Sequence, residues 1–110
     1  MRPERKFIKD TYIVSTIRFE WDTTKAIFNL RKHGVSFGDA MTVFSDEFAR
    51  IIYDPDHSKN EDRFVLLGMS ATTRLLVVCH CYRENDDVIR IISARKADKQ
   101  EAQLYGRYKP

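Results

Sequence analysis

Val88-Ile89-Arg90-Ile91-Ile92-Ser93-Ala94-Arg95 is a β-branched run that ends on a cation. Three similar runs precede it: Phe48 to Tyr53, Arg63 to Met69 and Leu75 to Tyr82. Polar separators divide them, namely Asp54-Pro55-Asp56, Ser70-Ala71-Thr72-Thr73 and Glu84-Asn85-Asp86-Asp87. β-branched and aromatic runs bounded by turn residues predict four consecutive strands in a meander. The last two separators are short enough for hairpins.

Upstream the period changes from two to about 3.6. Phe19-Glu20-Trp21 reads as a short strand, and Asp22 is placed to cap a helix that Gly34 ends. Ala26, Ile27 and Leu30 form its apolar stripe. Ser36-Phe37-Gly38-Asp39 resembles a capping box with Asp in place of Glu, and Phe37, Ala40, Met41 and Phe44 follow at helical spacing. After Arg95 the helical period returns, with Ala97, Leu104, Tyr105 and Tyr108 on one side. The expected fold is α+β: two helices, an antiparallel sheet of four or more strands, and a closing helix.

A chain of 110 residues, 43% hydrophobic and 32% charged, suits one compact domain. That domain is expected over residues 18–110, and residues 1–17 read as an N-terminal extension with only Tyr12, Ile13, Val14 and Ile17 suited to burial. The net charge of +3 permits a polyanionic partner without requiring one. No stretch has the roughly 18 apolar residues of a membrane span, and no apolar signal-peptide core follows the charged start, so a cytoplasmic protein is expected. Cys79 and Cys81 flank His80 and read as reduced core residues, because the spacing is too tight for an ordinary disulfide. No second Cys/His pair stands at zinc-ligand spacing, so neither a metal nor a cofactor is expected.

The chemistry lies at strand ends. Arg63, Arg83 and Arg95 each close or open an apolar run, and His57 and Glu61 occupy the loop that enters one of them. Guanidinium forks match phosphate oxygens, and a carboxylate or imidazole can move a proton. If the runs pair as one sheet, Glu61, Arg63, Arg83 and Arg95 are expected to converge on one concave surface. Taken singly, each arginine also fits a solvated strand end. Lys32 and His33 suit the negative end of the first helix dipole, and Tyr105 suits the core.

These blocks resemble the BrnT toxins of bacterial type II toxin-antitoxin systems. The likeness is carried by Phe19-Glu20-Trp21-Asp22, Asn29-Leu30-Arg31-Lys32-His33-Gly34-Val35-Ser36-Phe37, His57-Ser58 with Glu61 and Arg63, and Ile89-Arg90-Ile91-Ile92-Ser93-Ala94-Arg95. It implies a RelE-like fold and a metal-independent endoribonuclease with Lys32, His57, Glu61, Arg63, Arg83, Arg95 and Tyr105 as site candidates. It also implies cleavage of RNA by its own 2′-hydroxyl, with Glu61 as base, Arg83 and Arg95 on the phosphate, Arg63 and Lys32 assisting or positioning, and His57 or Tyr105 as acid. The implied partner is a BrnA-like ribbon-helix-helix antitoxin, through which the complex would bind operator DNA. Ala102 departs from the family, where arginine often follows the residue matching Glu101, and residues 1–17 have no counterpart. The alternative reading is an inactive antitoxin-binding or RNA-binding module of the same fold.

Overall fold

The computed structural model describes residues 11–14, 17–52, 63–85 and 87–108. Among these residues six strands form one sheet: β1 (Thr11–Val14), β2 (Ile17–Glu20), β3 (Arg50–Ile52), β4 (Phe64–Met69), β5 (Leu75–Arg83) and β6 (Val88–Lys96). Their spatial order is β1-β2-β6-β5-β4-β3, and the expected meander is the antiparallel run from β3 to β6. Two features go beyond the expectation. β1 lies within the segment read as an extension and pairs with β2, and β2 joins β6 in parallel, so the sheet is mixed.

Local chemistry accounts for the helices. α1 (Thr23–His33) starts at Asp22, whose carboxylate accepts from the Lys25 amide, and stops at Gly34, whose φ of 70° costs a glycine little. Ser36 caps α2 (Phe37–Thr42) by accepting from the Asp39 amide, and a 3₁₀ turn, Val43–Ser45, follows. The reciprocal half of that capping box is not made. The Asp39 carboxylate accepts instead from the Thr72 hydroxyl in the β4–β5 turn. A complete box starts α3 (Lys99–Tyr108): Glu101 N–H donates to Asp98, and Asp98 N–H donates to Glu101, at 2.8 and 2.9 Å.

Strand alternation sends two apolar sets to opposite faces. Phe19, Leu66, Leu76, Val78, Ile89, Ile91 and Ala94 meet Val35, Phe37, Ala40 and Val43 on the α2 side. Val65, Leu67 and Val77 meet Tyr105 of α3 on the other. Gly68 permits the 3₁₀ turn to lie close on β4, since a Cβ there would stand 2.7 Å from Val43 and 2.8 Å from Ala49. Asp46 ties this corner together, accepting from the Met69 and Phe48 amides and from the Tyr105 hydroxyl.

The stripe expected on α1 is corrected. Ala26 packs on the core, but Ile27 and Leu30 are 50% and 52% exposed, and the buried residue of α1 is Asn29. β2 stops pairing with β6 after Arg90, so the next part of that β6 edge needs other partners. Asn29 supplies them: it accepts from the Ala94 N–H at 3.0 Å and donates to Ala94 and Val35 carbonyls at 2.8 and 2.9 Å. A buried backbone edge demands partners that an apolar residue cannot offer, which is why a polar side chain holds the inner position. None of the helices among the described residues is long and apolar enough to cross a membrane.

Candidate functional site

α1 lies against β6, and between them opens a groove of about 560 Å³. Lys25, Phe28, Arg31, Lys32 and His33 line it from the helix, with Ile92 and Ser93 from the strand. A register shift positions the strand wall. Cys79 pairs with Ser93, but His80 pairs with Ile91, so Ile92 is the extra residue of a bulge. Arg95 follows two positions after Ser93 and therefore shares its face of β6.

The groove has a cationic end. Lys32 and His33 close α1 with Arg31, where positive charge suits the carbonyl end of the helix dipole. Burial, then the charges of Lys32 and Arg95, hold the His33 imidazole below the ordinary histidine range. A neutral ring between two cations is a proton acceptor at neutral pH. None of the ion pairs among the described residues involves Lys25, Arg31 or Lys32. Arg95 is oriented from the other side, since its two terminal nitrogens donate to Glu101 at 2.8 and 2.9 Å. That fork, with burial opposing it, holds the Glu101 carboxyl below its ordinary range.

The expected convergence of arginines is corrected by the register. Arg95 pairs with Val77, and Arg83 pairs with Val88, so the two arginines share a face but stand at opposite ends of the β5–β6 ladder. Six positions of β5 separate Val77 from Arg83, roughly 20 Å at about 3.3 Å per residue. The physical reason is strand direction. Each arginine closes its own strand, and in an antiparallel pair the two closing ends point apart.

Arg83 has a different neighbourhood. Arg18 also pairs with Val88, and Arg90 pairs with Cys81 two residues before Arg83. Arg63 precedes Phe64, the partner of His80, and so stands toward this same end. Acidic residues offset part of the charge: Arg90 meets Glu20 at 2.7 Å and Arg18 meets Glu84 at 3.4 Å. His57 and Glu61 lie outside the described residues. Tyr105 is buried and donates its hydroxyl to Asp46 at 2.7 Å, and burial with that carboxylate pushes its pKa up to about 12.

Sequence reasoning thus separated Lys32 from its neighbour, naming the lysine as a site candidate and leaving His33 as a helix-end cation. The signal for His33 was the adjacency itself, Lys32-His33 before Gly34, but the contribution of Arg95 comes from a strand about 60 residues later and is visible only in the fold. Neither Cys79 nor Cys81 is in a disulfide, and no cluster of metal-ligand type occurs among the described residues.

With this geometry in place, comparisons with known proteins bear on its meaning. Residues 21–101 match the model of a family described as the ribonuclease toxin, BrnT, of type II toxin-antitoxin system. The chain is also similar to the crystal structure of the Brucella abortus ribonuclease toxin, BrnT, with a TM-score of 0.55 and 23% identity. The alignment covers 72% of this chain and 94% of the Brucella chain, a likeness of fold. No curated protein matches.

Proposed function

Starting from the premise that the chain belongs to the BrnT family of ribonuclease toxins of type II toxin-antitoxin systems, we propose that it cleaves RNA in the α1–β6 groove without a metal. The observation that carries this reading is that Lys32 and His33 line one groove with Ser93, and that Arg95, two residues after Ser93 on the same strand face, lies near enough for its charge to act on His33. His33 takes the proton of a 2′-hydroxyl, and the freed oxygen attacks the adjacent phosphorus. The Lys32 ammonium and the Arg95 guanidinium stabilise the charge that develops on the phosphorane. The bond from phosphorus to the 5′ oxygen then breaks. That oxygen takes a proton from Lys32, which regains one from water while His33 releases its own to water, leaving a 2′,3′-cyclic phosphate and a 5′-hydroxyl. Glu101 positions Arg95, and Tyr105 supports the site by anchoring α3 to Asp46.

A second reading puts the reaction at the other end of the face, with Arg63 and Arg83 on the phosphate, Glu61 as base and His57 as acid. The gathering of Arg18, Arg83 and Arg90 across β2, β5 and β6 favours it. In either reading the neutralising partner is a small ribbon-helix-helix antitoxin similar to BrnA, and operator DNA is bound by the complex.

Cleavage of a labelled RNA by antitoxin-free protein in excess chelator decides between them. The groove reading expects His33→Ala and Lys32→Ala each to slow cleavage about 10²- to 10³-fold, the usual cost of one transition-state group. It also expects the parent to lose rate as pH falls through the lowered pKa of His33, below 6.5, because protonation removes the base. Full rates in both variants, with loss in Glu61→Gln and Arg83→Ala, would move the reaction to the sheet end. No cleavage of any RNA by the parent would leave the inactive binding module, and an absolute need for added magnesium would overturn the mechanism.

A further inference from the structure

α1 bears Lys25, Phe28 and Lys32 at i, i+3 and i+7, so two ammonium groups flank one aromatic ring along a single face. All three line the groove, opposite Ile92 and Ser93. Phe28 is 66% exposed, the most open of the large apolar side chains among the described residues. Nothing in the packing of α1 calls for a ring there, since Asn29 holds the inner position and Ala26 makes the core contact. The ring is also set apart from the helix's other exposed apolar groups. At about 100° per residue, Ile27 and Leu30 fall together on one shoulder, and Phe28 lies on the opposite one among lysines. A protein helix seeking an apolar stripe would find it broken by cations. The α1 segment contains no acidic residue, so the surroundings of Phe28 favour a polyanion that also carries flat, stackable groups.

We propose that Phe28 is a stacking platform for a nucleobase of single-stranded RNA, with Lys25 on a phosphate flanking the one held at Lys32. The inference rests on the reading that the groove receives RNA, and it adds substrate class and position. A duplex keeps its bases stacked inside, whereas a single strand can lay one on the ring. Phe28 thereby holds the nucleotide next to the scissile bond, as a positioning residue.

The test measures binding of the full-length chain to a short labelled 2′-O-methyl oligoribonucleotide, which its own 2′-hydroxyl cannot cleave, and to an abasic oligomer of the same length and charge. Stacking is worth about 1 to 3 kcal/mol per base, so Phe28→Ala should weaken binding of the base-bearing oligomer about 5- to 150-fold. Phe28→Leu should weaken it nearly as much despite its apolar bulk, and Phe28→Trp should restore it. The abasic oligomer should bind parent and Phe28→Ala alike. Melting temperatures should not move, because the side chain is exposed. Parent-like binding by Phe28→Leu, or equal loss for the abasic oligomer, would overturn the stacking role. If Lys32→Ala weakens binding while Phe28→Ala does not, this inference alone fails. If neither variant changes binding, the groove reading fails with it. Loss confined to binding of the antitoxin would reassign Phe28 to a protein interface and likewise overturn the proposal.

Discussion

The two faces of the sheet are built differently. On the α2 side, twelve buried residues form one continuous core, with Trp21 edge-on to Phe37 and Phe19 edge-on to Phe44. On the α3 side the buried cluster among the described residues is smaller, Val65, Leu67, Val77 and Tyr105, so that core covers one end of the face. The remainder carries Ser93 and the Arg90–Glu20 pair, and the Arg95–Glu101 pair borders the small core beside Val77 and α3. The contrast teaches a division of labour. A domain this small has apolar residues enough for one thick core, and the thin face is where charged groups keep access to solvent and to a polyanion.

The sharpest way to break the comparison is to empty the thick core. Phe37 is 2% exposed, so Phe37→Ala should cost about 3 to 5 kcal/mol and lower the melting temperature by more than any substitution on the α3 side. A thermal melt checks this, and a loss no larger than that for Tyr105→Phe would erase the distinction between the faces.

Asn29→Ala tests the seam between them. It leaves the Ala94 N–H and two carbonyls without their partner, at about 2 to 3 kcal/mol. Asn29→Asp retains an acceptor for the Ala94 amide but offers no donor to the carbonyls, so denaturant titration should find it no better than alanine. Recovery of parental stability by aspartate would show that the two donated bonds contribute little.

Tyr105→Phe removes one hydrogen bond from the thin face and should cost about 1 kcal/mol at pH 7. Its pH behaviour is more telling. The folded pKa, about 12, lies above the ordinary 10.0, so the unfolded chain ionises first. The parent should lose stability as pH rises from about 10 toward 12, and the phenylalanine variant should lack that component.

The smallest effect at neutral pH belongs to His80, fully buried in the thick face among Phe44, Phe64 and Tyr82. Its Nε2 has no partner among the described residues, and burial holds the ring below the ordinary 6.5, against a weaker opposing contribution from the Val78 carbonyl. Below pH 6.5 the unfolded state takes up a proton that the folded state resists, so stability falls until the folded pKa is passed. His80→Leu should be nearly neutral at pH 7 and should flatten this acid slope in urea titrations. An unchanged slope would assign acid sensitivity to other groups, Glu101 foremost, whose lowered pKa also removes stability on the acid side.

Much of the architecture was legible in residues that act locally. Asp22 and Gly34 bound α1, Ser36 opens α2, and the period-two runs became β3 to β6 because alternation and capping depend on near neighbours. β2 was legible as a strand through Phe19-Glu20-Trp21, but its parallel partner, β6, stands about 70 residues away. The α1 stripe misled because Ile27 and Leu30 carry the right hydrophobicity for burial, while the inner position faced a backbone edge that required an amide. For the candidate site, Lys32 and Arg95 could be singled out by residue type and position, but their meeting with His33 could not.

By itself, the sequence determined the class of the fold, the limits of most elements and membership of a family whose motif blocks stand in order along the chain. These follow from capping, periodicity and residue identity, which are local properties. The tertiary structure alone decided that Arg83 and Arg95 stand at opposite ends of one face, that Asn29 completes the β6 edge, and that Arg95 comes within electrostatic reach of His33. Those depend on strand direction, register and the docking of α1 on β6, where groups distant in sequence meet through backbone pairing, and no single stretch of chain encodes which end of the sheet each will reach.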